Sequence, residues 1–199
     1  LAAAVQADPL GLPRLPAGQL EALFALHAPE WVTARSDPAG VIGRVVLGGS
    51  GPAFDDSEAA VYLDHGFARA GDAYRLQLMY QVWFEERPAR GRLDLYSGRW
   101  NGLIWRVTLD AGGQPLWYDS VHNCGCYHQV WLDHRSSPRA TRGLESPVFL
   151  PLDWSGRPRL FLAPGTHHIQ AVRAAADPVP DRATDKATVP LSADSLRLL

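Results

Sequence analysis

Leu76-Gln77-Leu78-Met79-Tyr80-Gln81-Val82-Trp83-Phe84 decides the fold class of this chain. Within the longer run from Tyr74 to Glu86, Leu76, Leu78, Tyr80, Val82 and Phe84 alternate with Gln77, Met79, Gln81, Trp83 and Glu85. A period of two sends successive side chains to opposite faces of a strand, so one face is built to meet a core. The other carries Met79 and Trp83 among its polar residues and is expected to be partly covered as well.

Downstream, Asn101-Gly102 lies between Trp100 and Leu103 and reads as a two-residue turn, because both residue types tolerate positive φ. It predicts a strand from about Leu93 to Trp100 folding back onto Leu103 to Asp110. Gly112-Gly113 makes the next turn, returning the chain as Pro115 to His122. With those glycines central, Leu109 faces Leu116, Val107 faces Tyr118 and Trp105 faces Ser120 on an apolar side. The other side sets Arg106 opposite Asp119, a cross-strand pair worth ~0.2–1 kcal/mol.

Upstream, Leu20, Leu23, Phe24 and His27 recur at helical spacing between Pro16 and Pro29 and predict one short amphipathic helix. Val148 to Leu150 and Leu160 to Leu162 read as strands, and Pro164-Gly165 turns the chain into a further strand, Thr166 to Val172. From Arg173 to Pro190 the chain is rich in Ala, Asp, Thr and Pro with no apolar period. Residues 173–199 are accordingly expected to form an extended tail or linker after a single β domain of residues 1–172. Many short strands with Gly and Pro turns and one N-terminal helix predict a mainly β protein, an antiparallel β sandwich or partly open barrel.

At 199 residues and 46% hydrophobic, the chain can bury one sizeable core. A formal charge of −2 leaves no basic face of the kind phosphate backbones demand, which excludes nucleic acid as the expected partner. No apolar run approaches the ~18–20 residues needed for a transmembrane helix, so a soluble protein is expected. The chain opens on Leu-Ala-Ala-Ala-Val rather than Met, compatible with export after loss of a leader, and its compartment stays open. Tryptophans such as Trp83, Trp100 and Trp131 suit core packing first and pocket lining second.

Chemistry concentrates in His122-Asn123-Cys124-Gly125-Cys126-Tyr127-His128, which holds both cysteines of the chain and two of its seven histidines. Thiolate and imidazole are the preferred ligands of zinc, copper and iron. A common ion requires the chain to reverse. With Cys124-Gly125-Cys126 as a three-residue loop, His122 faces His128, Ser120 faces Val130 and Tyr118 faces Leu132. The four donors His122, Cys124, Cys126 and His128 then supply a tetrahedral zinc shell, or a subset holds copper or iron with His65, His134, His167 or His168. An open coordination position would suit a metal-dependent hydrolase or oxidoreductase, with Asp119 or Tyr127 handling protons. Whether the chain is an enzyme stays open. Two other readings stand beside this one: Cys124 and Cys126 cycling between dithiol and disulfide, or a structural turn in a non-catalytic sandwich that binds or assembles. Such loops usually carry Gly third, whereas here it would be second.

The stretch from Leu76 to Phe84, with Trp105 to Asp110, Tyr118 to His122 and the run Cys124-Gly125-Cys126-Tyr127-His128, resembles a set of uncharacterised bacterial proteins that share Cys-Gly-Cys-Tyr-His. The likeness spans about the middle third of the chain and implies no fold, cofactor or residue role.

Overall fold

In the computed structural model, which describes residues 6–49, 51–133, 146–178, 186–189 and 196–198, the alternating stretch is the centre of a large sheet. The elements before it are β1 (Gln6–Ala7), β2 (Pro13–Arg14), α1 (Ala17–His27), β3 (Glu30–Ala34), β4 (Arg44–Gly48), β5 (Gly51–Asp55) and β6 (Val61–Ala70). The stretch itself is β7 (Ala73–Arg87), followed by β8 (Gly98–Leu109), β9 (Pro115–His122), β10 (Gln129–Leu132) and β11 (Val148–Pro151). The chain continues through β12 (Pro158–Leu162), β13 (Ile169–Ala174), β14 (Lys186–Val189) and β15 (Leu196–Leu198).

Seven strands form one sheet in the order β11-β10-β9-β8-β7-β6-β15, and four form a second in the order β13-β12-β3-β14. Neither closes into a barrel. Leu76, Leu78, Tyr80, Val82 and Phe84 are all buried, and they share one core with Trp31, Leu160, Leu162 and Ile169 of the smaller sheet. Each such side chain contributes about 1.5–3 kcal/mol by leaving water. Leu23 and Phe24 of α1 join that core, and Tyr80 donates its hydroxyl proton to the Phe24 carbonyl across 2.8 Å. The chain is therefore mainly β with one short helix, its sheets packed as a sandwich. Three of its pairings, β10 with β11, β12 with β3 and β15 with β6, run parallel.

The pairing of β8 with β9 is as expected over most of its length: Trp105 faces Ser120, Arg106 faces Asp119 and Val107 faces Tyr118. The register shifts by one between Thr108 and Leu109, so that Leu109 meets Pro115 instead of Leu116. Asn101-Gly102 is a correction. It lies inside β8, with Asn101 opposite Phe84 and Gly102 opposite Trp83, and no hairpin forms there. A fifteen-residue β7 needs a long partner, and Gly102 serves packing: a Cβ at that position would stand 3.0 Å from the Trp83 ring. The expected strand from Leu93 onward is instead a loop over residues 88–97. The strand expected from Thr166 begins at Ile169, and the segment read as a tail supplies β14 against β3 and β15 against β6.

Candidate functional site

The loop after β9 is Asn123-Cys124-Gly125. The Gly125 N–H donates to the His122 carbonyl (2.8 Å) and the His122 N–H to the Cys126 carbonyl (3.0 Å), with Gly125 at φ +85°. Glycine thus takes the third, left-handed position that three-residue hairpins require. Tyr127 follows at φ +55° as an extra residue, and β10 then pairs with Ser120 opposite Gln129 and Tyr118 opposite Trp131. That is one residue out of the expected register. A slip of one exchanges the two faces of a strand, so Trp131 turns into the core, its ring tilted against Trp105 at 5.2 Å between centroids.

The consequence corrects the expected ligand set. His128 meets the Arg106–Asp119 pair, with its Nε2 3.4 Å from Asp119 Oδ1. His122 points to the opposite face of β9 and is 1% exposed. Neither cysteine is in a disulfide, and Cys124 is exposed while Cys126 is half-buried. Among the described residues no three His, Cys, Asp or Glu side chains stand where they could share a metal ion. Of the secondary candidates, His65 is exposed on β6, packed edge-on against Phe67. His134 lies outside the described residues. Asp119 lies on the His128 side, and Tyr127 on the His122 side.

What the fold brings to His122 is a second histidine from the other sheet. The turn Pro164-Gly165-Thr166-His167 closes with the His167 N–H on the Ala163 carbonyl (2.9 Å), and Asp37 Oδ2 accepts from the Gly165 N–H (2.7 Å). His167 sits in that turn at φ +58°, strain that a non-glycine residue accepts only where its surroundings over-determine it. Its ring lies flat on Phe84, 3.8 Å between centroids, and is 1% exposed. His167 Nδ1 is 2.8 Å from Asn101 Oδ1, and Asn101 Nδ2 is 3.4 Å from His122 Nδ1. One buried amide therefore bridges two buried imidazoles.

An amide oxygen only accepts and its nitrogen only donates. In this arrangement His167 carries its proton on Nδ1 and keeps a lone pair on Nε2, while His122 accepts at Nδ1 and carries its proton on Nε2. Burial lowers the His122 pKa to about 4, with the charges of His167, Arg87 and His168 adding to the depression. Burial also lowers His167 to about 4, partly opposed by Asp37 and the Ala39 backbone. Both rings are neutral at pH 7. Their Nε2 atoms are buried without a hydrogen-bond partner, as is Nε of the neighbouring Arg87. Unpaired buried polar atoms are uncommon in native folds, and three of those found among the described residues lie in this one neighbourhood.

Around this pair stand Tyr127, 5.2 Å from the His122 ring, and the half-buried His168, 5.9 Å from Tyr127. Burial lowers the pKa of His168 too, helped by Arg90 and Arg87. Arg87 is 5% exposed; its Nη2 donates to the Tyr127 hydroxyl (3.1 Å) and lies 3.8 Å from Asp94. Asp94 also accepts from the Arg90 and Tyr96 backbone N–H groups, which hold its carboxyl below the usual range. Residues 88–97 are thus tied down beside the site. Asn101, Arg87 and Asp94 were not singled out from sequence. Asn101 was masked by its turn-like dipeptide, and the length of β7 was the signal that could have placed it in a strand.

No family model, curated protein or solved structure matches the chain. The shared Cys-Gly-Cys-Tyr-His run therefore stays an expectation, and the site is read from its own chemistry.

Proposed function

We propose that the chain binds a transition-metal ion at the base of the Asn123-Cys124-Gly125 hairpin, with His167 and His122 as imidazole ligands and the thiolates of Cys124 and Cys126 as the nearest soft donors. The observation that supports this reading is the pair of neutral, buried imidazoles anchored on one amide with both Nε2 atoms unpartnered. Metal ligands must be deprotonated, and these two rings pay no proton-release cost at pH 7. A ligating imidazole ordinarily donates its other N–H to a fixed acceptor, the part Asn101 Oδ1 plays for His167. His122 needs a tautomer change to expose its lone pair and is the weaker of the two. The full shell forms only when the hairpin brings a thiolate inward.

Mixed nitrogen and sulfur donors favour zinc or copper over the hard cations. Tyr127, whose hydroxyl accepts from Arg87, is the proton-handling group on this side of the sheet; Asp119 faces away from it.

The test is metal uptake by chelator-stripped protein titrated with zinc and, under reducing conditions, with cuprous ion. One equivalent is expected for the wild type, with affinity at least tenfold weaker in His167→Ala and in the Cys124→Ser/Cys126→Ser pair, and unchanged in His128→Ala. Absence of uptake by the wild type, or loss confined to His128→Ala, would reject this ligand set.

A further inference from the structure

A groove of about 480 Å³ lies between the β10–β11 side of the large sheet and β13 of the small one, within the ~300–1,000 Å³ usual for small-molecule sites. Its wall includes Trp131 and Trp154, and its polar residues are Asp153, Gln170, Arg173 and Asp177. None of these belongs to the hairpin or to the His122–Asn101–His167 group.

Trp154 is half-buried. Trp131 stands edge-on to it at 6.3 Å between centroids and Tyr118 lies tilted against it at 5.4 Å, so two aromatic contacts hold its plane. Its indole Nε1 is buried with no hydrogen-bond partner, although buried indole N–H groups usually find one. Asp153, Arg173 and Asp177 make no salt bridge among the described residues, and Gln170 is exposed on β13. The groove therefore offers a flat apolar surface rimmed by two carboxylates without an ion-pair partner among the described residues, a guanidinium and an amide.

We infer that this groove binds a neutral polyhydroxylated ring, a monosaccharide or a short run of them. A pyranose has an apolar C–H face to lie on an indole and a rim of hydroxyls that both donate and accept. Carboxylates accept from such hydroxyls, guanidinium donates to them and an amide does both. A wholly apolar ligand would strip water from three charges with no compensation. An anion would face two carboxylates, and an organic cation would face Arg173. Pre-set orientation of Trp154 reduces what binding must order.

The test is a tryptophan-fluorescence and saturation-transfer NMR titration of the full chain with a panel of neutral hexoses and their β- and α-linked oligomers, with tetramethylammonium as the cationic comparison. A saturable response to at least one neutral sugar is expected, weakened at least tenfold by Trp154→Ala. Asp153→Asn with Asp177→Asn, at exposed positions, is expected to weaken it severalfold without unfolding the chain, which covers the case in which Trp154→Ala fails to fold. No response to any neutral sugar, a response to tetramethylammonium alone, or sugar binding that survives both sets of substitutions overturns the inference. Metal uptake at the hairpin is expected to be the same in all these variants, so the two sites fail or stand separately.

Discussion

At one end of β9, Asp110-Ala111-Gly112-Gly113-Gln114 closes with the Gly113 N–H on the Asp110 carbonyl (3.1 Å) and the Asp110 N–H on the Gln114 carbonyl (2.8 Å). At the other end, His122 to Cys126 repeats both bonds, with Gly125 at φ +85° where Gly113 is at φ +80°. The backbone is the same turn twice. In the first, the Asp110 carboxylate turns back on its own loop and accepts from the Gly112 and Gln114 N–H groups, both at 2.8 Å. In the second, the matching side chain is His122, which turns inward to Asn101. That loop is held sideways instead: Asn123 accepts from the Gly102 N–H (3.1 Å) and donates to the Trp100 carbonyl (3.2 Å). At the first end the flanking side chain is held by its own turn, whereas at the second the neighbour strand secures the turn and leaves the flanking side chain to point into the core.

The largest expected consequence of this contrast is a pH dependence carried mainly by the second end, although burial also lowers the pKa of His27, whose Nε2 lies 3.0 Å from the Gly113 carbonyl of the first turn. His122 and His167 have folded-state pKa values of about 4, below the ~6.5 of an unfolded chain. The unfolded state binds more protons between those values, so their contribution is intact above pH 6.5 and is lost as pH falls toward 4. Each ring accounts for about 3 kcal/mol over that window. Denaturant midpoints measured at pH 7 and pH 4.5 should diverge, and His167→Gln should narrow the gap; equal midpoints in the wild type would contradict the burial of neutral rings.

Next in size, Asn101→Ala strands a ring nitrogen on each histidine and should cost about 1–3 kcal/mol at pH 7 in equilibrium unfolding. Gly125→Ala should cost about 1–2 kcal/mol, all of it from the left-handed backbone, since nothing lies within 4 Å of the added methyl. Gly125→Asn should recover part of that loss, because asparagine tolerates the conformation. The smallest effect, about 1 kcal/mol, is expected for Asp110→Ala, which removes two exposed hydrogen bonds and should leave metal uptake untouched. Asn123→Ala should cost a similar amount of stability but also weaken metal uptake, and the pair of variants separates connection from site.

The sandwich class was legible because β7 alternates over its whole length and the Arg106–Asp119 pair locks β9 to β8. The first hairpin shows how a correct register can follow from a wrong turn. Gly112-Gly113 reads as a two-residue loop where three residues turn, and the extra residue of β9 beyond Thr108 restores the count. At the second hairpin the expected loop lies one residue late, and the extra residue at Tyr127 corrects only half of that displacement. Half was enough to send His128 to the wrong face. Asn101-Gly102 misled for a different reason, since a local turn preference gave way to the demand of a long neighbour strand and the Trp83 ring. His167 was beyond local reading: it meets Asn101 across 66 positions of sequence, through the contact of two sheets. Its buried place in a strained turn is written in tertiary packing alone.

The central claim is that His122 shares its environment with His167 across Asn101 and is separated from His128 by the sheet. Long-range proton–nitrogen NMR of the histidine rings at pH 7, combined with nuclear Overhauser contacts, tests it directly. The account predicts His167 protonated at Nδ1, His122 protonated at Nε2, and ring contacts from His122 to Tyr127 with none to His128. Contacts between the His122 and His128 rings, or a charged His122 or His167 at that pH, would contradict it.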